Sequence, residues 1–266
     1  MNKKKCHSCY APLDTIFCDL GVSPISNAFI NTEDADDPEF FYPLKAYVCK
    51  ECWLVQLESS LDSSYHFHED YVYFSSFSES WLKHSRDYSE MVVDRFKLNE
   101  QSLVIEIASN DGYLLQNFVA SGIPCLGIEP TANTAKVARA KGIETREVFF
   151  GLDTACQLVD DGKKADLLLG NNVLAHVPDI NDFVSGMSSV FKSEGVITLE
   201  FPHLLKLMQN NQFDTIYHEH YSYLSLISIL PIFSKFGLRV FEVEQISTHG
   251  GSLRVCLLYT SPSPRD

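Results

Sequence analysis

The chain has 266 residues, 45% of them hydrophobic and 21% charged, the balance of a globular protein with a real core and enough length for two domains. The 21 Lys and Arg against 35 Asp and Glu leave a net charge of −14, which argues against a general nucleic-acid binder but not against a locally positive pocket for an anionic small ligand. No apolar run approaches the roughly 18 residues of a membrane span, and the basic start leads into Cys6 and His7 instead of an apolar stretch, so neither a membrane anchor nor a signal peptide is expected.

Eight cysteines without an export signal point to metal or thiol chemistry before disulfides. Four form two C-x-x-C pairs, Cys6 with Cys9 and Cys49 with Cys52, while Cys18, Cys125, Cys156 and Cys256 are scattered. A C-x-x-C turn places two thiolates on one side of a tetrahedral Zn²⁺ site, and two such turns on separate hairpins complete it. Pro12, Pro24, Pro38 and Pro43 punctuate the stretch between the pairs, and Val48 and residues 53–57 flank the second pair with β-type side chains, so short strands and turns are expected. So few residues build little core, and the metal supplies much of the folding energy. Four unrelated thiols or a redox pair is the competing reading. A thioredoxin-type pair opens a helix in a βαβ context, which neither pair does. A four-thiolate site has no open position, so the metal is expected to be structural. His7 is expected to be a solvated neighbour, not a ligand. The aromatic cluster at 65–81 reads as core or lid packing.

From about residue 100 the pattern becomes alternating strands and helices. Strands are expected at 102–108, 125–129, 165–169, 195–201 and 238–243. Helices are expected at 113–120, 131–141, 179–191 and 225–236, the second capped by Thr131 or Asn133 and ended by Gly142. This pattern predicts an α/β doubly wound sheet of Rossmann-like kind, with its ligand crevice at the carboxyl ends of the strands. The first strand carries Glu106 and runs into a tight turn, Ala108 to Gly112, that opens a helix. Glu129 ends the next strand about 20 residues on, where a ribose-binding carboxylate belongs. The turn has one glycine, not the three of G-x-G-x-x-G, which argues against a dinucleotide and is compatible with S-adenosylmethionine, a nucleoside without phosphate. Read alone, Glu129 is as readily a surface acid.

Residues 106–115 (EIASNDGYLL), 127–130 (GIEP), 170–177 (GNNVLAHV), 200–203 (EFPH), 217–223 (YHEHYSY) and 248–252 (THGGS), with the cysteine pairs and 71–78 (YVYFSSFS), resemble the sugar C-methyltransferases of deoxysugar biosynthesis. The resemblance covers essentially all of residues 6–255. It implies a zinc-binding module at 1–60, a class I S-adenosylmethionine-dependent methyltransferase domain at 61–255, and a further α/β domain that this chain lacks and that helps to hold the substrate. It implies methylation of a carbon beside the keto group of a nucleotide-linked 4-ketohexose in the cytoplasm, with no nucleic-acid or membrane partner. Residues 256–266 (CLLYTSPSPRD) resemble the translation of a sequencing-library adapter and are expected to be a non-native tail; a native Ser/Pro-rich tail is the alternative.

That chemistry needs a base to remove a proton α to a carbonyl, stabilisation of the resulting enolate, and in-line displacement of a sulfonium methyl. An imidazole suits the proton abstraction at neutral pH. The resemblance implies His220 as the base, with Tyr217 and Glu219 orienting it or the sugar, His176 facing the keto oxygen, and Tyr71 closing the pocket over the methyl donor. It implies cofactor contacts from Glu106, Ala108, Ser109, Asn110 and Gly112, from Glu129 and Pro130 at the ribose and adenine, and from Asn171, Asn172 and Val173 at the methionine end. The competing readings are a metal site at His218 and His220 and ordinary packed or surface histidines, among which His176 and His218 rank. His249 beside Gly250 and Gly251 is open between a ligand contact and a plain turn. Arg254 and Lys206 are unplaced candidates for a diphosphate. The alternatives to a C-methyltransferase are an S-adenosylmethionine-dependent O- or N-methyltransferase on a small metabolite, or a binding module without turnover.

Overall fold

The computed structural model describes residues 4–27, 29–58 and 71–259. Two sheets organise it. The larger has seven strands: β4 (Val104–Ile107), β5 (Cys125–Ile128), β6 (Glu144–Arg146), β7 (Ala165–Asn171), β8 (Phe191–Pro202), β10 (Leu238–Ile246) and β11 (Ser252–Tyr259), in the order β10-β11-β8-β7-β4-β5-β6. The pairs from β6 through β8 are parallel, and β11 is antiparallel to both its neighbours. From β4 the chain moves outward one way to β5 and β6, then returns to lay β7 on the other side. The crevice opens at that reversal, beyond the carboxyl ends of β4 and β7.

These strands form because their side chains are buried on both faces: all four residues of β4 are buried, including Glu106. Among the described residues seven α-helices join the strands or flank the sheet: α1 (Glu79–Phe96), α2 (Leu115–Ala120), α3 (Ala132–Ala140), α4 (Leu152–Asp160), α5 (Ile180–Val190), α6 (Leu204–Asn210) and α7 (Leu226–Lys235). One apolar cluster packs α5 and α7 on the sheet through Phe183, Met187, Ile229 and Phe233. Another packs α1 and α2 on it through Tyr88, Val92, Leu115 and Phe118.

The expected alternation is present, with boundaries shifted by a few residues. Thr131 does stand at the N-cap position of α3, but neither it nor Asn133 makes the expected cap. The Thr131 hydroxyl is spent on the Glu129 carboxylate and the Thr134 hydroxyl instead. Helix α1 was not anticipated. Ser78 caps it by accepting from the Trp81 amide at 3.3 Å, and Lys97 ends it in the left-handed region at φ 54°.

The smaller sheet has the order β1-β2-β3-β9, built from β1 (Thr15–Ser23), β2 (Tyr42–Val48), β3 (Val55–Leu57) and β9 (Ser222–Tyr223). The amino-terminal hairpins therefore take their last strand from far down the chain. The expected division near residue 60 lies outside the described residues, as do positions 65–70 of the aromatic cluster and 260–266 of the chain end. Strand β11 continues through Cys256–Tyr259, pairing Leu257 with Ile197 on one side and with Val240 on the other.

One glycine is required at the crevice. Gly112 sits at φ 75°, and a Cβ there would lie 2.3 Å from Ile143 Cδ1 and 3.3 Å from Ala138 Cβ. Gly112→Ala is expected to lower the unfolding free energy by about 2–4 kcal/mol through left-handed strain plus overpacking, measured as a fall in the denaturant midpoint with an unchanged slope.

Candidate functional site

At the amino terminus the ligand atoms of Cys6, Cys9, Cys49 and Cys52 all lie within 4.8 Å of one another, the only cluster of three or more such groups among the described residues. Sγ of Cys6 is 3.5 Å from Sγ of Cys52, and Sγ of Cys9 is 3.5 Å from Sγ of Cys49. A tetrahedron of thiolates at Zn–S distances of about 2.3 Å has edges of about 3.8 Å, so the arrangement fits the metal. The hydrogen bond from Cys52, with smaller help from Gln56, holds Cys6 below the usual thiol range, toward the thiolate a cation needs. Contrary to expectation, His7 is only partly exposed: its Nδ1 is buried, burial lowers its pKa, and its amide donates to Gln56 Oε1 at 2.7 Å.

A cavity of about 630 Å³ lies over the carboxyl ends of β4, β5 and β7. On one side is the turn after β4. It needs the left-handed conformation three times, at Ala108 (φ 57°), Asn110 (φ 49°) and Gly112 (φ 75°). Only one of these is a glycine, so the glycine count understated how tightly the turn coils. Glu129 locks it: its carboxylate accepts from the Asn110 amide at 2.8 Å, the Thr131 amide at 2.9 Å and the Thr131 hydroxyl. Burial raises the Glu129 pKa, and these donors offset part of that rise.

The segment after the undescribed stretch is stitched across this turn. Asn110 accepts from the Ser75 amide at 2.8 Å and donates to the Tyr73 carbonyl at 3.1 Å, while Asn133 donates to the Tyr71 carbonyl at 2.6 Å. Tyr71 and Tyr73 thereby face the cavity. Trp81 joins them, its ring stacked 4.9 Å from His84 and 5.8 Å from Tyr113, with His249 edge-on at 4.9 Å. His249 thus lines the cavity instead of standing as a plain turn residue.

Of the residues expected at the cofactor, Ala108, Asn110, Glu129, Pro130, Asn171, Asn172 and Val173 line the cavity. Glu106, Ser109 and Gly112 do not; they support the turn from behind. Glu106 is fully buried, which drives its carboxyl well above the usual range. Ser109 packs so close to Gly127 that a Cβ there would meet its Oγ at 2.4 Å. Asn171 is buried with neither side-chain polar atom hydrogen-bonded, which fits a site built for a ligand.

Tyr71, His176, Tyr217, Glu219 and His220 all reach the same cavity. His220 Nδ1 is 2.7 Å from the Thr215 carbonyl, which can only accept, so Nδ1 carries the proton. Its Nε2 is then the lone-pair nitrogen, 3.1 Å from the Tyr217 hydroxyl, which donates to it. Burial lowers the His220 pKa to about 4, so the ring is neutral at pH 7. The His176 ring lies 4.6 Å from it. Glu219 accepts from Asn27 Nδ2 at 2.6 Å and Ser26 Oγ at 3.1 Å, and burial raises its pKa against these donors.

His218 points elsewhere, 3.2 Å from the Pro43 carbonyl, so the H-x-H pair does not converge on a metal. Arg254 is committed to Glu200 at 2.7 Å and Glu244 at 2.6 Å, and Lys206 to Gln209 at 3.2 Å. Among the described residues no Lys or Arg lines the cavity, whereas Glu129, Asp179, Asp182, Asp214 and Glu219 do. Such a cavity favours a cationic ligand such as a sulfonium.

The sequence reading missed Asn27, Tyr73, Phe149, Phe150 and Phe183, all of which line the cavity. Tyr73 lay within the resembling segment 71–78. The others come from loops and a helix face whose local pattern carries no signal.

Two family models match the chain: "Putative zinc binding domain" over residues 6–67 and "Methyltransferase domain" over residues 81–243. The C-methyltransferase NovU of Streptomyces niveus is 34% identical over 93% of the chain, and the chain spans 58% of that protein's length. A ubiquinone biosynthesis O-methyltransferase of Bartonella bacilliformis is 25% identical over 35% of the chain and 38% of its own length. Among solved structures, the PH0226 protein of Pyrococcus horikoshii OT3 aligns with TM-score 0.57 at 12% identity, covering 71% of this chain and 95% of that one. An S-adenosylmethionine-dependent methyltransferase of Clostridium acetobutylicum aligns at TM-score 0.55 and 12% identity over 68% and 92% of the two chains. With the fold, the turn and the four-cysteine cluster in agreement with these matches, the chain belongs to the family of S-adenosylmethionine-dependent methyltransferase domains, here carrying an amino-terminal zinc-binding domain.

Proposed function

We propose that the chain carries the catalytic part of a C-methyltransferase acting on a nucleotide-linked 4-keto-deoxysugar. The observation that carries this reading is the neutral His220, its tautomer fixed by Thr215 and its Nε2 turned to Tyr217, facing the same cavity as the Glu129 turn. Methylating oxygen needs no proton removed from carbon. A desolvated imidazole with a fixed lone pair fits a reaction that does. The likeness to a protein named a C-methyltransferase over nearly the whole chain supports the same choice.

S-adenosylmethionine, when bound, supplies an electrophilic methyl group. Glu129 and the turn from Ala108 would hold its ribose, Asn171 its methionine end, and the acidic lining its positive charge. His220 takes the proton α to the keto group at Nε2 once the Tyr217 hydroxyl, which holds that lone pair here, has turned its O–H toward the substrate. His176 stands next to that ring and donates toward the enolate oxygen. Glu219, held by Asn27 and Ser26, lines the same cavity and adds to its negative field. Tyr71 and Tyr73 cover the reacting centre and exclude water. The sugar diphosphate lies outside the cavity in this reading, because the lining offers it no cation.

With labelled methyl donor and a panel of nucleotide-linked 4-ketosugars, the product should carry a C–CH₃ and lack one ring proton. His220→Ala should lower turnover by about 10²–10⁴-fold and abolish deuterium exchange at the α carbon in D₂O. A methyl ether product, or exchange unaffected by His220→Ala, overturns the reading.

The buried imidazole also sets a pH dependence. Folded His220 stays neutral down to about pH 4, whereas the unfolded chain takes up a proton near 6.5. The unfolded state therefore binds more protons between these values, and stability falls as the pH drops through 6.5. From pH 7 to pH 5 this one group should cost about 2 kcal/mol, seen as a fall in denaturant midpoint that His220→Gln flattens.

A further inference from the structure

We infer that Asn181 is a positioning residue that makes the zinc knuckle a brace for the cofactor side of the cavity, so that metal occupancy and cofactor affinity are linked. Asn181 is the second residue of α5 and is almost fully buried. Its Nδ2 donates to the carbonyl of His7 at 2.8 Å and of Ser8 at 2.9 Å, and lies 3.3 Å from the Tyr10 hydroxyl. Its Oδ1 accepts from Lys235 Nζ at 2.9 Å. His7 and Ser8 are the two residues between Cys6 and Cys9. Their carbonyls therefore stand where the sulfurs put them. The turn is held in one shape when four thiolates close on a cation, and loses that clamp without it.

The other end of this contact is the cavity wall. Asp179, the N-cap of α5, accepts from the amides of Asn181 at 3.1 Å and Asp182 at 3.0 Å. Asp182 in turn faces the Leu152 amide at 3.3 Å, and Phe183 meets Phe150 edge-on at 5.2 Å. Asp179, Asp182, Phe150 and Phe183 all line the cavity that Glu129 opens into. Moving the first turn of α5 moves this wall as a unit. An amide with both ends used on fixed partners gives a coupling that a purely apolar contact would not, because losing it leaves two buried carbonyls without donors.

The test uses the chain as it is, with S-adenosylhomocysteine as the probe. Asn181→Ala should retain one equivalent of zinc by elemental analysis and bind the probe about tenfold more weakly by calorimetry. A merely structural loss would lower the melting temperature and leave affinity alone. Val92→Ala, in α1 on the other face of the sheet, supplies that comparison and should bind as the parent does. Stripping zinc with a chelator should weaken probe binding in the parent and add little in Asn181→Ala. Unchanged affinity in zinc-loaded Asn181→Ala, or a chelator effect of equal size in both proteins, overturns the proposal. If the variant does not fold, hydrogen exchange on the parent decides: amides at 180–184 should lose protection on zinc removal before those of α1 do, and equal loss overturns it. A parent that binds no probe refutes the cofactor assignment, while the exchange measurement still tests the brace.

Discussion

The short pairing of β3 with β9 is the constraint on which the rest of the site depends. Val55 pairs with Tyr223 and Gln56 with Ser222, and the Leu57 amide donates to the Tyr221 carbonyl at 3.0 Å. Two residues of antiparallel ladder are weak by themselves. Their effect comes from what each strand carries. Strand β3 begins three residues after Cys52, and its Gln56 side chain donates to Cys6 Sγ at 3.2 Å. Strand β9 begins two residues after His220. The cysteine cluster and the imidazole thus stand on either side of this short ladder, and of the described amino-terminal residues Asn27 reaches the cavity lining. Ser26 and Asn27, which hold Glu219, reach the site by the same route.

Burial decides the chemistry of that site. In a lining without Lys or Arg, each carboxylate must find its own donors. Glu129 has three and Glu219 has two. Glu106 sits behind the turn, fully buried, and its burial pushes the carboxyl pKa well above the usual range. The charge remaining at the cavity face is negative, which complements a sulfonium and repels a phosphate. On the proposed reading, a nucleotide's diphosphate lies on another surface, since no described lining residue offers it a cation.

What the sequence made legible depended on whether the signal was local. Four thiols at C-x-x-C spacing announce their site because each turn geometry is set within four residues. Buried strands such as β4 and β7 announce themselves as apolar runs. Helix α1 did not, because its buried face includes Ser85 and Ser89 between Trp81, Tyr88 and Val92, which breaks the apolar stripe. The tight turn was underread because Ala108 and Asn110 take left-handed conformations that glycine usually marks. Asn27 and Asn181 carried no signal at all. Their partners lie 192 and 174 residues away, at Glu219 and His7, and only the tertiary fold brings them together.

The depressed basicity of His220 constrains the order of events in the proposed reaction. A ring that resists protonation down to about pH 4 is a poor base while the cavity is empty, since accepting a proton leaves a cation in a desolvated pocket. Proton transfer becomes favourable only when a negative charge arises beside it, and the enolate is that charge. The imidazolium and the enolate then stabilise each other at short range in a medium of low dielectric. A sulfonium already in place lowers the cost of the enolate further. In the proposed reaction, carbon–hydrogen cleavage is therefore coupled to the presence of both reactants, and an imidazole of ordinary basicity, charged for part of the time at neutral pH, would lose that coupling.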